Sequence, residues 1–116
     1  MQLTINASLI YICTQPVDFR KAIDGLVDIV VSRFNQNAQT GIYLFYNRTR
    51  DKVKILAWHK NGFVLLLKRL EKGKFYNVKD NHNLVAATQN QLSWLLAGLN
   101  WVGMSQWEEL KYDDYR

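Results

Sequence analysis

The side chains with the capacity for chemistry are mostly cations, and they are clustered. Between residues 48 and 79 stand Arg48, Arg50, Lys52, Lys54, Lys60, Lys68, Arg69, Lys72, Lys74 and Lys79, against Asp51 and Glu71 alone. The local balance is +8 in a chain whose formal net charge is +5, so the remainder is net acidic. Such segregation suits a surface built to meet an extended anion rather than a point charge. Groups for covalent or metal chemistry are sparse. A metal-dependent nuclease needs two or three carboxylates converging on one point. Asp51 and Glu71 fall in separate turns on opposite sides of a strand, and pairing with neighbouring Arg50 and Lys72 is their plainer use. His59 and His82 lack ligand spacing. Cys13 is the single cysteine and reads as a buried small hydrophobe. No Gly-rich phosphate loop or nucleophile elbow occurs. The chain is therefore read as non-enzymatic, with no catalytic residue, no metal site and no cofactor.

The elements that must position these cations are short strands and turns. Residues 42–46, 52–58 and 63–67 are rich in β-branched and aromatic residues, which fit a pleated surface. Between them, Asn47 to Asp51 and the Lys60-Asn61-Gly62 segment read as hairpin turns, so an antiparallel meander is expected. In the second strand Lys52 and Lys54 alternate with Val53, Ile55 and Ala57, which puts the lysines on one face with Leu56 and Trp58. Trp58 is then a stacking platform for a base or a packing residue beneath the C-terminal helix. The Glu71 to Lys74 turn leads into an expected fourth strand, Phe75 to Val78.

The flanks supply helices. An apolar strand at Ser8 to Cys13 is broken by Pro16. Asp18 then stands as an N-cap for a helix over 18–34, with Phe19, Ile23, Leu26, Val27, Val30 and Phe34 on one face. Gly25 within it is expected to admit a close strand. Arg20 and Lys21 in its first turn oppose the helix dipole. Either they form an anion site with the helix-start amides, or they are a solvated pair offset by Asp18 and Asp24. Thr88 opens a second helix, 89–99, with Leu92, Leu95, Leu96 and Leu99 inward and Gly98 near its end. The fold expected is α+β: a mainly antiparallel sheet of four to five strands, its meander over 41–78, with both helices packed on one face. Residues 1–102 are expected to form a single domain and 103–116 an acidic, aromatic tail.

Composition supports an ordinary globular chain of 116 residues, 48% hydrophobic and 22% charged. No apolar run is long enough to span a bilayer, and the basic residues lie in hairpins rather than on an amphipathic helix. A cytoplasmic, non-membrane location near the nucleoid is expected, with nucleic acid or an acidic protein as partner.

Two blocks then carry a family resemblance. Asp18-Phe19-Arg20-Lys21-Ala22-Ile23-Asp24-Gly25-Leu26 resembles the Asp-Met-Arg-Lys-Gly-Phe-Asp-Gly-Leu motif of the accessory proteins, TnpB type, of bacterial insertion-sequence family sixty-six. Gly41 to Phe45, Asn47-Arg48, Arg50-Asp51, Lys54-Ile55-Leu56, Trp58, Gly62-Phe63, Lys68 to Glu71 and Gly73 to Phe75 are similar to that family's second block in order and spacing. His59, in place of an acid, and Tyr76-Asn77-Val78, in place of Trp-Pro, depart from it. The resemblance implies a bacterial accessory role in transposition beside a separate DDE-type transposase, with no established catalysis.

Joined to the charge pattern, this gives a residue-level expectation. Arg48 and Arg50 at a hairpin tip would reach phosphates or a groove of DNA at the element's ends. Lys52, Lys54, Lys68, Arg69, Lys72 and Lys74 would meet the backbone, Arg20 and Lys21 would extend the track, and Trp58 could stack. No helix carries a basic recognition face, so sequence preference should be weak. The competing expectation is an adaptor that docks on the transposase without touching DNA. A minor third is binding of the element's RNA.

Overall fold

In the computed structural model, residues 9–78 and 83–102 are described. The elements run β1 (Ile10–Cys13), α1 (Ile23–Asp28) continued by a π-helical segment (Ile29–Arg33), β2 (Ile42–Tyr46), β3 (Lys52–His59), β4 (Gly62–Arg69), β5 (Leu84–Ala87) and α2 (Gln89–Leu96). The strands form one sheet in the order β4-β3-β2-β1-β5. Its β2-β3-β4 part is the expected meander, and β5 joins β1 antiparallel. Only β1 and β2 run parallel, as the α1 crossover between them requires. The α+β class and the mostly antiparallel five-stranded sheet with two helices are as the sequence implied.

The helices are not on one face. Ile10, Ile12, Leu44, Tyr46 and Val53 pack with Trp94 and Leu95 of α2 and with Trp101. Cys13, Tyr43, Phe45 and Leu56, from the other side of the same strands, pack with Leu26, Ile29 and Val30 beyond and within α1. The cause is visible in β1 and β2, which are apolar at nearly every position. Such unbroken runs mark strands covered on both sides.

The fourth strand also differs. Residues 75–78 form no strand, and 84–87 supplies one instead. Phe75 is buried, and its segment is tied down by isolated bonds instead of a strand ladder, the Phe75 amide donating to the Arg50 carbonyl. The Tyr76 carbonyl accepts from the Tyr46 hydroxyl at 2.8 Å and from Trp101 Nε1 at 2.9 Å. Asn77 donates to the Thr14 carbonyl at 2.8 Å. Groups satisfied in this way need no ladder.

The first helix begins at Ile23 rather than 18, with Ala22 at its N-cap and no side-chain cap. Asp18 instead accepts from the Arg20 amide at 2.9 Å, closing a local turn. Gly25 is not where a strand approaches: a Cβ there would lie 3.0 Å from Cβ of Lys21, whose stem crosses it. The second helix opens as expected. Thr88 and Gln91 form a reciprocal capping box. It closes on Gly98 at φ +80°, with Leu99 N–H on the Trp94 carbonyl and Gly98 N–H on the Leu95 carbonyl, a Schellman motif. None of the helices among the described residues is long and apolar enough to cross a membrane. The acidic, aromatic stretch 103–116 lies outside the described residues.

Candidate nucleic-acid interface

The loop joining β2 to β3 is shaped by its own polar side chains. Asn47 donates to Asp51 Oδ1 at 2.6 Å and to Thr49 Oγ1 at 3.2 Å, and Thr49 donates to the same carboxylate oxygen at 2.7 Å. The Asn47 side-chain oxygen accepts from the Lys52 amide at 3.1 Å. These bonds favour the charged carboxylate and hold Asp51 below the usual aspartate range. Arg50 sits at φ +59°, in the left-handed region that the loop imposes on a residue with a Cβ. The network thus fixes a loop that carries exposed Arg48 and half-buried Arg50, while keeping the one acid of the loop engaged internally.

A second basic loop is fixed to the first. The Leu70 amide donates to the Asp51 carbonyl at 2.8 Å, and the Phe75 amide to the Arg50 carbonyl at 2.6 Å. Residues 71–74, with Lys72 and Lys74, therefore flank the 47–51 loop at the end of the sheet where Lys52 pairs with Arg69. On the other flank a cavity of about 480 Å³ opens between Pro16 to Arg20 and Asn47 to Thr49. It places Arg20 and Arg48 along one wall system. Arg48, Lys72 and Lys74 are exposed, Arg50 and Lys52 half-buried, and none of the five makes a side-chain hydrogen bond or ion pair among the described residues.

Asp51 and Glu71, expected in unrelated turns, are thus brought into adjoining loops. Their carboxylates are occupied separately. Asp51 is bound as above, and Glu71 pairs with Arg69 at 2.9 Å, not with Lys72.

The expected cation set divides under this geometry. Arg20 forms a salt bridge with Asp18 at 2.7 Å; its hydrogen bonds hold the Asp18 carboxyl down to about 2 and raise the Arg20 guanidinium above its ordinary value. With the helix starting at Ile23, Arg20 and exposed Lys21 do not stand at helix-start amides. Lys54 shares the α1 face with Lys52, but its ammonium turns inward, donating to the Phe19 and Lys21 carbonyls at 2.8 Å each and lying 4.8 Å from the Phe19 ring centre. Lys68 is on the opposite face, as its pairing with Val53 requires, and donates to the Leu96 carbonyl at the end of α2 at 2.6 Å. Trp58 lies near the far end of β3, half-buried edge-to-face on Phe63 at 4.9 Å and 76°, on the α1 side of the sheet and not beneath α2. The geometry therefore gathers Arg48, Arg50, Lys52, Arg69, Lys72 and Lys74, with Arg20 alongside, and separates Lys54, Lys68 and Trp58.

The residues that the sequence reading left unassigned are Asn47 and Thr49. Their signal was present: an Asn-x-Thr-x-Asp spacing in a turn places three short polar side chains within reach of one another. Cys13 is buried as expected, and burial pushes its thiol up to about 11.

Known proteins share this arrangement of sequence. A family model described as "IS66 Orf2 like protein" matches residues 8–106. An uncharacterised protein of Sinorhizobium fredii (strain NBRC 101917 / NGR234), y4jC, is 34% identical over 94 residues, covering 80% of each chain. A second from the same strain, y4hO, also uncharacterised, is 28% identical over 93 residues, covering 79% of this chain and 81% of its own. No solved structure matches.

Proposed function

Since the chain belongs to the IS66 Orf2-like family of transposition-associated accessory proteins, we propose that it serves transposition by holding DNA on the basic end of its sheet. The observation that carries this reading is the pair of backbone hydrogen bonds pinning residues 70–75 to the 47–51 loop. They collect cations from two distant segments while the two nearby carboxylates stay occupied. A self-braced loop carrying exposed Arg48 and half-buried Arg50, with exposed lysines beside it, suits phosphate contact, which positions without reading sequence. The role is that of a non-catalytic partner to the element's transposase, working at the element's ends.

Five unpaired cations meeting phosphates give a slope of log K against log salt of about −4 to −5. Anisotropy titration of labelled terminal duplexes at several salt concentrations measures it. Arg48→Ala/Arg50→Ala should weaken binding and reduce the slope by about 2, equally on terminal and unrelated sequences. A flat salt response of the wild type would overturn the proposal. A transposase complex that survives nuclease treatment, with no DNA binding by the protein alone, would establish docking in its place.

A further inference from the structure

The two edges of the sheet are unlike. β5 is four residues long, whereas β4 runs for eight and its outer flank pairs with no strand among the described residues. Long open edges are ordinarily blunted by charge, proline or a bulge, because their free amides and carbonyls template another strand. In β4 the charges are confined to its C-terminal end, at Lys68 and Arg69. The preceding run Phe63-Val64-Leu65-Leu66-Leu67 has no charge and no proline. Leu66 is 46% exposed and Leu67 61%, and they stand on opposite faces of the sheet. Large leucines exposed on both sides of one open strand are what an additional strand would cover.

We propose that β4 is a self-association edge, and that it pairs antiparallel with β4 of a second copy to make a continuous ten-stranded sheet. A second copy fits because the apolar run is self-complementary in one register. A two-fold axis through Leu65 sets Leu65 against its counterpart, Val64 against the partner's Leu66, and Phe63 against the partner's Leu67. Faces are preserved, since such an axis stands perpendicular to the sheet. Lys68 and Arg69 then fall beyond the apolar overlap, beside the partner's turn, so the cations of the two strands lie at opposite ends of the joint and do not face each other. An acidic partner strand would find no cation along 63–67 to meet. The pairing is closed, because each chain offers one such edge, and it leaves the two 47–51 loops at opposite ends of the joined strands.

A joint of this kind is smaller than a standard interface of about 1,600 Å², so the dimer should be reversible, with Kd on the order of 10 µM. Sedimentation velocity of the full chain across concentrations spanning that value reads the equilibrium without DNA, and so separates this proposal from the nucleic-acid reading. Monomer–dimer exchange is expected. Leu66→Lys/Leu67→Lys should raise Kd by at least about tenfold, because it removes the apolar cover and sets cations close together across the joint. Both sites are exposed, so thermal unfolding of the monomer should move little. Leu65→Cys should oxidise to a covalent dimer, since the two counterpart residues face each other within disulfide reach. Lys72→Cys, on a loop away from the edge, should not. A wild type that stays monomeric well above that Kd, a dimer indifferent to the double lysine variant, or open-ended polymers in place of dimers would each overturn the proposal.

Discussion

At the scale of single residues, the 47–51 loop separates charge from shape. Asp51 lowers the positive potential of the loop, yet it anchors Asn47 and Thr49. Asp51→Ala should therefore weaken DNA binding although it adds one unit of positive charge, because the arginines lose their fixed presentation. Asn47→Ala should do the same and cost about 1–2 kcal/mol of stability, readable by urea unfolding. A gain in affinity from Asp51→Ala would mean that charge alone matters. The Asp18–Arg20 pair gives a pH signature. Hydrogen bonds from Arg20 hold its carboxyl down to about 2, from an ordinary aspartate value of 3.8. A depressed carboxylate stabilises the folded state above its unfolded pKa, and that contribution is lost as pH falls from about 3.8 toward 2. An NMR titration of Asp18 should show a midpoint near the lower value, and Arg20→Ala should return it to the ordinary range.

At the scale of elements, the ends of α2 are the clearest test of local coding. Thr88→Ala should cost about 1 kcal/mol by removing the capping box. Gly98→Ala should cost about 1–2 kcal/mol by forcing a Cβ into the left-handed region. Calorimetric or denaturant unfolding measures both. These caps were legible because each depends on one residue type at one position. The start of α1 was not. Asp18 has the chemistry of an N-cap, but Lys54, distant in sequence, takes the Phe19 and Lys21 carbonyls and holds that stretch as a turn. Lys54→Met should therefore destabilise the fold by roughly 1–3 kcal/mol while leaving the salt dependence of DNA binding unchanged. The strand at 84–87 was hidden by its alanines, and the false one at 75–78 was suggested by Phe75, whose ring serves burial and not pairing, and by Tyr76, which is exposed. That both faces of the sheet would be covered was written in the unbroken apolar runs of β1 and β2, a pattern easily mistaken for strand propensity alone.

At the scale of the whole molecule, the density of positive charge along residues 48–79 was plain from composition, whereas its partition was not. Strand alternation places Lys52 and Lys54 together, but register with β4 decides that Lys68 faces the other way. Only the backbone bridges between loops decide that Lys72 and Lys74 join Arg48 and Arg50. The proposed site is thus a property of tertiary placement, and at its centre are the five cations that no ion pair among the described residues consumes, with paired Arg69 and Arg20 beside them. The placement of β1 carries one more consequence, for synthesis. Of the described strands it leaves the ribosome before the others, but its two neighbours are residues 42–46 and 84–87. A nascent chain halted near residue 80 could complete the local hairpins and the α1 crossover, yet β1 would keep one bare flank until the last strand and the tryptophans behind it emerged. The strand made before its partners is therefore the one that waits longest for its cover, and a chaperone meeting the growing chain would find its apolar target there.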